Sequence, residues 1–232
     1  VKERPILMSG PMVCAILEGR KTMTRRVVQY SPSPRLIFPL LGRNNQPTGE
    51  WVFTDPVYEY VGHSRHYCPH GQPGDRLWVK ETWQPEGYGR TADVGIKYKA
   101  DSGYRVFPVA KIPDSWAYPK ASTHGNVSPL FMPRWASRIT LELTDVRVER
   151  LQDISEADAR AEGVEPNWCG DLKGWNPEEH GWIDYLQTCE DSDGCGTAKD
   201  SFESLWQSIN AKRGYGWDKN PWVWVLSFKR VD

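Results

Sequence analysis

The stretch "EGRKTMTRR", residues 18 to 26, sets Arg20, Lys21, Arg25 and Arg26 and the hydroxyls of Thr22 and Thr24 within a few positions of Gly19. Two kinds of chemistry fit it. Basic side chains that follow a helix C-terminus lie favourably in the field of its dipole, so "GRK" can be a charged helix end and nothing more. Alternatively, a lysine and a hydroxyl have been brought together. A threonine hydroxyl is a weak nucleophile near neutral pH until a base takes its proton, and a lysine is that base only when its pKa is depressed. Neighbouring cations, here Arg20, Arg25 and Arg26, push a lysine in that direction, as burial does.

Other clusters compete for attention. "GHSRHYCPHG" holds His63, His66, Cys68 and His70, but the spacing is not a standard zinc pattern and an extended segment would scatter alternate side chains. Cys169, Cys189 and Cys195 with His180 read as loop thiols and a loop imidazole. Neither a metal nor any other cofactor is therefore expected. "MPRWASR" interleaves Arg134, Trp135 and Arg138. Such a group suits a rim that stacks bases and contacts phosphate; equally, Trp135 can cover apolar core while its arginines stay in solvent.

The totals restrict the class. The chain has 232 residues and a formal net charge of −1, so general basicity is absent and any nucleic-acid contact must come from a local patch. An ordinary apolar fraction argues against whole-chain disorder. No apolar run approaches a bilayer span, and "VKERPILMSG" is too short in apolar length for a secretory signal. Five cysteines, an odd number, read as reduced thiols. A soluble, cytoplasmic protein without membrane contact is expected. Most of the twelve tryptophans are expected in the core.

The elements that must position these residues follow from local patterns. "PMVCAILE" has Pro11 at a first helical position, apolar residues at helical spacing and Gly19 where a helix ends, so Lys21 to Thr24 lies on a joint between helix and strand. "QPGDRLWVKETW" predicts a turn at Pro73 and Gly74 and a strand with Leu77, Val79 and Glu81 on one face, and "GIKYKA" a further strand. "SRITLELTDVRVERL" alternates over 137 to 151 with a change of parity near Asp145 that predicts a bulge. "DISEADARAEG" predicts a short helix from Ser155, with a capping pair in Ser155 and Asp158 and an end at Gly163; Asp158 and Glu162 share one side. Residues 197 to 214 predict a helix with Ala198, Phe202, Leu205, Trp206 and Ile209 inward, and "PWVWVLSFKRV" a closing strand. Strands dominate and nothing repeats. The expected class is mainly β with α, a closed or partly open β-barrel with helices at its side, one domain over 1–232 with insertions at about 29–70, 84–133 and 163–196.

Several of these stretches together resemble the ASCH domain family, a PUA-like β-barrel fold. "ILEGRKTMTRR" looks like its signature after the first helix, "PGDRLWV" its Gly-Asp turn and strand, "ITLELTDVRVERLQDISEADARAEG" its strand and acidic helix, and "WVWVLSF" its closing strand. The resemblance spans about half of the chain, spares the insertions, and is to a longer, phage- or prophage-type member. Some compact members are amidohydrolases that remove the acetyl group of N4-acetylcytidine. Carried over by position, the resemblance implies Lys21 as general base, Thr24 as nucleophile and Glu162 as proton donor. Arg20, Arg25, Arg26, Arg134 and Trp135 are the candidate contacts to substrate or nucleic acid.

The expected reaction is hydrolysis of a non-peptide C–N bond, an acyl group leaving the exocyclic amine of a modified nucleoside. Other members bind or cleave RNA, so the competing expectations are a module that binds single-stranded or modified RNA without turnover, and a ribonuclease. The expected partner is a modified nucleoside or nucleotide, or single-stranded RNA.

Overall fold

Pro11 and Gly19 bracket the first helix as their conformational preferences require. In the computed structural model α1 spans Gly10–Leu17 with proline in its first turn, and Gly19 adopts φ +78°, the left-handed region in which a Cβ is penalised. The structure describes residues 1–29, 36–42, 47–54, 64–86, 93–120, 122, 125–167, 181–186 and 194–231. Among them the strands are β1 (Glu3–Leu7), β2 (Met23–Val27), β3 (Ile37–Leu41), β4 (Pro47–Phe53), β5 (Ser64–Tyr67), β6 (Arg76–Lys80), β7 (Trp83–Glu86), β8 (Val94–Tyr98), β9 (Tyr104–Phe107), β10 (Thr140–Arg150) and β11 (Trp222–Arg230). The further helices are α2 (Glu156–Ala161) and α3 (Ala198–Asn210).

The fold is mainly β with a few helices, in three sheets of order β1-β6-β10-β11-β2, β3-β4-β5 and β7-β8-β9. None is closed into a barrel, which corrects the expectation of closure. The five-stranded sheet ends in β1 and β2, each only five residues long. Closure of so few strands demands a strong tilt and stagger, which edge strands this short cannot span. No described helix is long and apolar enough to cross a membrane.

The described residues group into two compact units. The first comprises Val1–Glu18, Gly74–Leu143 and Lys229–Asp232. Here β1 runs parallel to β6, and β6 antiparallel to the start of β10, where burial alternates through Leu141 and Leu143. A core of Trp83, Val94, Ile96, Tyr98, Val127, Met132 and Ala136 fills the region read from sequence as the second insertion. Glu81, expected on the apolar face after β6, is 1% exposed and is held by a fork of two hydrogen bonds from Arg138, at 2.9 and 2.8 Å. Asp101 accepts a second fork from the same guanidinium, which lies over the Tyr98 ring at 4.1 Å. Burial pushes the Glu81 carboxyl above its usual range, against the pull of Arg138.

The second unit comprises Gly19–Pro73 and Thr144–Phe228. Its β2 pairs antiparallel with β11, and the register puts Met23, Arg25 and Val27 on one face with Ser227, Val225 and Val223. That face packs on α2 and α3 through Leu151, Ile154, Ala159, Phe202 and Trp206. The opposite face carries Thr24, Arg26, Leu226 and Trp224. Trp224 meets Trp51 edge to face at 5.6 Å and Phe53 at 6.2 Å, so β4, inside the first presumed insertion, packs on this face. The third presumed insertion also enters the core: Trp182, 7% exposed, bridges in extended pairing to Pro166 and Cys195 and packs among the α3 residues.

Helix α3 departs from the expected inward face. Ile209 is 50% exposed, whereas Ser201, Ser204 and Asn210 are buried. The reason is the segment beside the helix: Ser201 Oγ donates to the Ile183 carbonyl at 2.6 Å and Ser204 Oγ accepts from the Tyr185 N–H at 2.9 Å. Short hydroxyl side chains admit that backbone and satisfy its polar groups, where larger apolar residues would exclude it. Truncating the tryptophan that this segment delivers, Trp182→Ala, is expected to cost about 3–5 kcal/mol, read from urea unfolding midpoints; a surface-loop residue would cost a small fraction of that.

Candidate functional site

Helix α2 is six residues long, and a helix this short depends on its ends. At its start Ser155 Oγ accepts from the Asp158 N–H at 3.1 Å, the capping contact expected from the sequence. At its end Gly163 adopts φ +81°. Three consecutive carbonyls there are met by three consecutive residues running the other way. Thr22 N–H donates to Ala161 O at 2.9 Å, Lys21 Nζ to Glu162 O at 2.6 Å, and Arg20 Nη1 to Gly163 O at 3.2 Å. The basic stretch therefore does serve a helix C-terminus, but that of α2 rather than of α1, which it follows in sequence.

The same geometry brings Lys21 onto the Glu162 side chain. Lys21 Nζ donates to Glu162 Oε2 at 2.8 Å, and the two side chains are 2% and 4% exposed. The other carboxylate oxygen, Oε1, accepts from Arg25 Nη1 at 3.2 Å. Arg25 reaches further, with Nη2 on Asp158 Oδ2 at 2.9 Å and on Glu149 Oε1. Arg147 closes the cluster, donating to Asp158 Oδ2 at 2.7 Å and to Glu149 Oε2 at 3.2 Å. Three cations, Lys21, Arg25 and Arg147, thus face three carboxylates, Glu149, Asp158 and Glu162. Arg25 also lies over the Phe202 ring at 5.8 Å, and its Nε is buried without a partner among the described residues.

Burial drives the Lys21 ammonium below the usual lysine range; the Arg26 and Arg25 charges act in the same direction, and Glu162 opposes them. Arg26 is also lowered, by burial first, with Glu162 opposing and Arg213 assisting. What the pair can do chemically follows from the shared proton. Passing it from Nζ to Oε2 along the existing hydrogen bond yields a neutral amine, which is a base, and a carboxylic acid, which is a donor.

Of the residues picked out by sequence, the structure brings together Lys21, Glu162 and Arg25, with Arg20 on the adjoining carbonyl. Thr24 is 4% exposed and lies on the opposite face of β2 from Arg25, and among the described residues its hydroxyl makes no hydrogen bond to Lys21. Arg134 and Trp135 belong to the first unit, Arg134 paired with Glu3 at 2.9 Å and Trp135 packed on that unit's core. Asp158, seen in sequence as a carboxylate near Glu162, is a shared anion of the network; Glu149 and Arg147 were not picked out. Their only signal was their place on one side of the strand that leads into α2. Among the described residues no three of His, Cys, Asp and Glu converge as a metal set. His63, Cys169, His180 and Cys189 lie outside the described residues. His66 stacks on Phe53 at 4.4 Å. A cavity of about 510 Å³ opens elsewhere, in the first unit, and is lined by none of Lys21, Thr24 and Glu162.

Compared with family models, with curated proteins and with solved structures, the chain matches none.

Arg25 holds three carboxylates in a buried setting, so Arg25→Met should leave them mutually repelling and lower stability by about 3–5 kcal/mol. Asp158→Asn, at a partly exposed carboxylate that keeps a hydrogen-bonding amide, should cost distinctly less. Urea denaturation of the three proteins, wild type included, checks the order; equal effects would show that Arg25 is not the centre of the network.

Proposed function

We propose that the chain is a hydrolase that removes an acyl group from the exocyclic amine of a modified nucleoside of the N4-acetylcytidine kind. The supporting observation is the buried contact of 2.8 Å between Lys21 Nζ and Glu162 Oε2, two residues that the ASCH resemblance pairs in function. The finer assignment of fold, a PUA-like domain of that family, belongs to the same proposal. A cytoplasmic setting belongs to the same proposal.

In this reading one proton circulates. Neutral Lys21 takes the proton of the Thr24 hydroxyl as its oxygen bonds to the acyl carbon. Protonated Glu162 gives its own to the departing amine as the C–N bond breaks. The ammonium formed on Lys21 then returns a proton to Glu162 across their hydrogen bond. Water then gives a proton to Lys21 as its oxygen bonds to the acyl carbon, and Lys21 passes that proton to Thr24 Oγ as the ester bond breaks, which releases the acyl group as a carboxylic acid and restores the hydroxyl. Arg25 holds Glu162 Oε1 and so aims Oε2 at Lys21.

One observation favours a second reading, a nucleic-acid binding module without turnover. Lys21 Nζ is engaged by both Glu162 O and Oε2, and Thr24 is not bonded to it. A purely structural Lys21 would look like this.

Incubation with N4-acetylcytidine separates the two. The hydrolase reading expects release of cytidine and acetate, and a loss of kcat/KM of roughly 10²-fold or more in Lys21→Ala, Glu162→Gln and Thr24→Val. Thr24→Val is the sharpest variant, because it preserves shape and breaks no hydrogen bond among the described residues. No turnover by the folded wild type, or full turnover by Thr24→Val, overturns the reading.

The pH profile supplies a further expectation. The reacting pair carries one proton, with Lys21 neutral and Glu162 protonated, so kcat/KM should fall with rising pH as that proton is lost and no donor remains. Because burial lowers the Lys21 pKa, the fall should lie below the range in which an ordinary lysine titrates. Lys21→Arg, which stays charged, should abolish the activity at every pH.

A further inference from the structure

The cavity of the first unit is lined by Arg105, Val106, Phe107, Pro108, Lys111 and Trp135. It is built where β9 ends and a 3-10 turn over Val109–Lys111 begins. Its aromatic residues are held by stacking contacts. Phe107 and Trp135 meet edge to face at 5.3 Å, and Trp116 braces Trp135 from another side at 5.0 Å. Both Phe107 and Trp135 are backed by the core of Trp83, Ile96 and Met132. A ring surface this well supported loses little freedom when a flat ligand lies on it.

The cations at the same cavity differ from Arg134 and Lys80 of this unit. Arg134 is paired with Glu3 and Lys80 donates to the Leu130 carbonyl at 2.6 Å. The Arg105 and Lys111 side chains are exposed and, among the described residues, make neither a hydrogen bond nor an ion pair. Arg105 contributes to the field at Glu81 and Tyr98 without bonding to either. Two uncommitted cations of different kind, one a planar fork and one a point charge, beside an aromatic wall make a site for a ligand with an anionic group on one part and a flat ring on another. A volume of about 510 Å³ lies within the range of small-ligand sites.

We propose that this cavity binds a nucleotide, its base against Phe107 and Trp135 and its phosphate between Arg105 and Lys111. A phosphate with an attached base is the common ligand that uses both halves of the lining, since a nucleoside would leave the cations idle and inorganic phosphate would leave the rings idle. The proposal uses none of Lys21, Thr24 and Glu162 and stands if the acyl chemistry fails. The nucleotide is either free or one residue of a single strand, and the phosphate chemistry is the same in both.

Calorimetric titration of the full chain with cytidine 5′-monophosphate, cytidine, inorganic phosphate and a short single-stranded oligonucleotide tests it. The monophosphate should bind saturably, with cytidine and phosphate each weaker by roughly tenfold or more. Arg105→Ala and Lys111→Ala, both at exposed positions, should each weaken the monophosphate by roughly tenfold, and the double variant by more. Lys21→Ala and Thr24→Val should leave this binding in place. Oligonucleotide binding that is as tight and equally sensitive to the double variant assigns the ligand to a strand, and its absence assigns a free nucleotide. No saturable binding of either, binding that survives the double variant, or binding lost in Lys21→Ala but kept in the double variant would overturn the proposal.

Discussion

The end of α2 is a problem that the chain solves with a segment 141 residues away. A helix of six residues leaves more of its carbonyls without an intrahelical partner than with one, and burial makes each of these costly. Arg20, Lys21 and Thr22 answer them in order, and in doing so fix the backbone that enters β2. Once that backbone is fixed, strand alternation sends Arg25 back towards α2 and Thr24 away from it. The carboxylate of Glu162, which terminates the helix, thereby falls between Lys21 and Arg25. Ion pairing here is a result of capping: the main-chain contacts place the charges, and the charges then have to be matched.

Matching is demanding, because a buried ion pair is stabilising only when its geometry and remaining hydrogen bonds are good. Arginine suits this place, since its fork meets Glu149, Asp158 and Glu162 at once where an ammonium would be a single point. Lysine suits the other place, because only an amine can give up its charge within the accessible pH range. The division of labour between these neighbours is written in their chemistry. The first unit uses the same device without a lysine: Arg138 binds Glu81 and Asp101 with two forks.

Local devices were legible in the sequence and remote ones were not. Pro11, Gly19, Ser155 and Gly163 act on their own turns, so the limits of α1 and α2 could be read directly. The apolar alternation of Leu141 and Leu143 could be read for the same reason. Nothing local marks Trp182 as core or Ser201 as buried, because both depend on which segment lies alongside α3. The strands β3, β4 and β5 escaped notice since their burial comes from partners such as Trp224, far along the chain. At the candidate site Lys21, Thr24 and Glu162 were picked out by resemblance, while the capping of one helix by the chain that follows another had no signature in spacing.

The hydrogen bond from Lys21 to Glu162 has a consequence for what a titration can report. Two groups that share a proton in a dry setting do not ionise one after the other on their own terms. Each step belongs to both, and the apparent constants describe the number of protons on the pair rather than the state of either residue. Substituting one partner would leave the other in an environment that the native protein never contains.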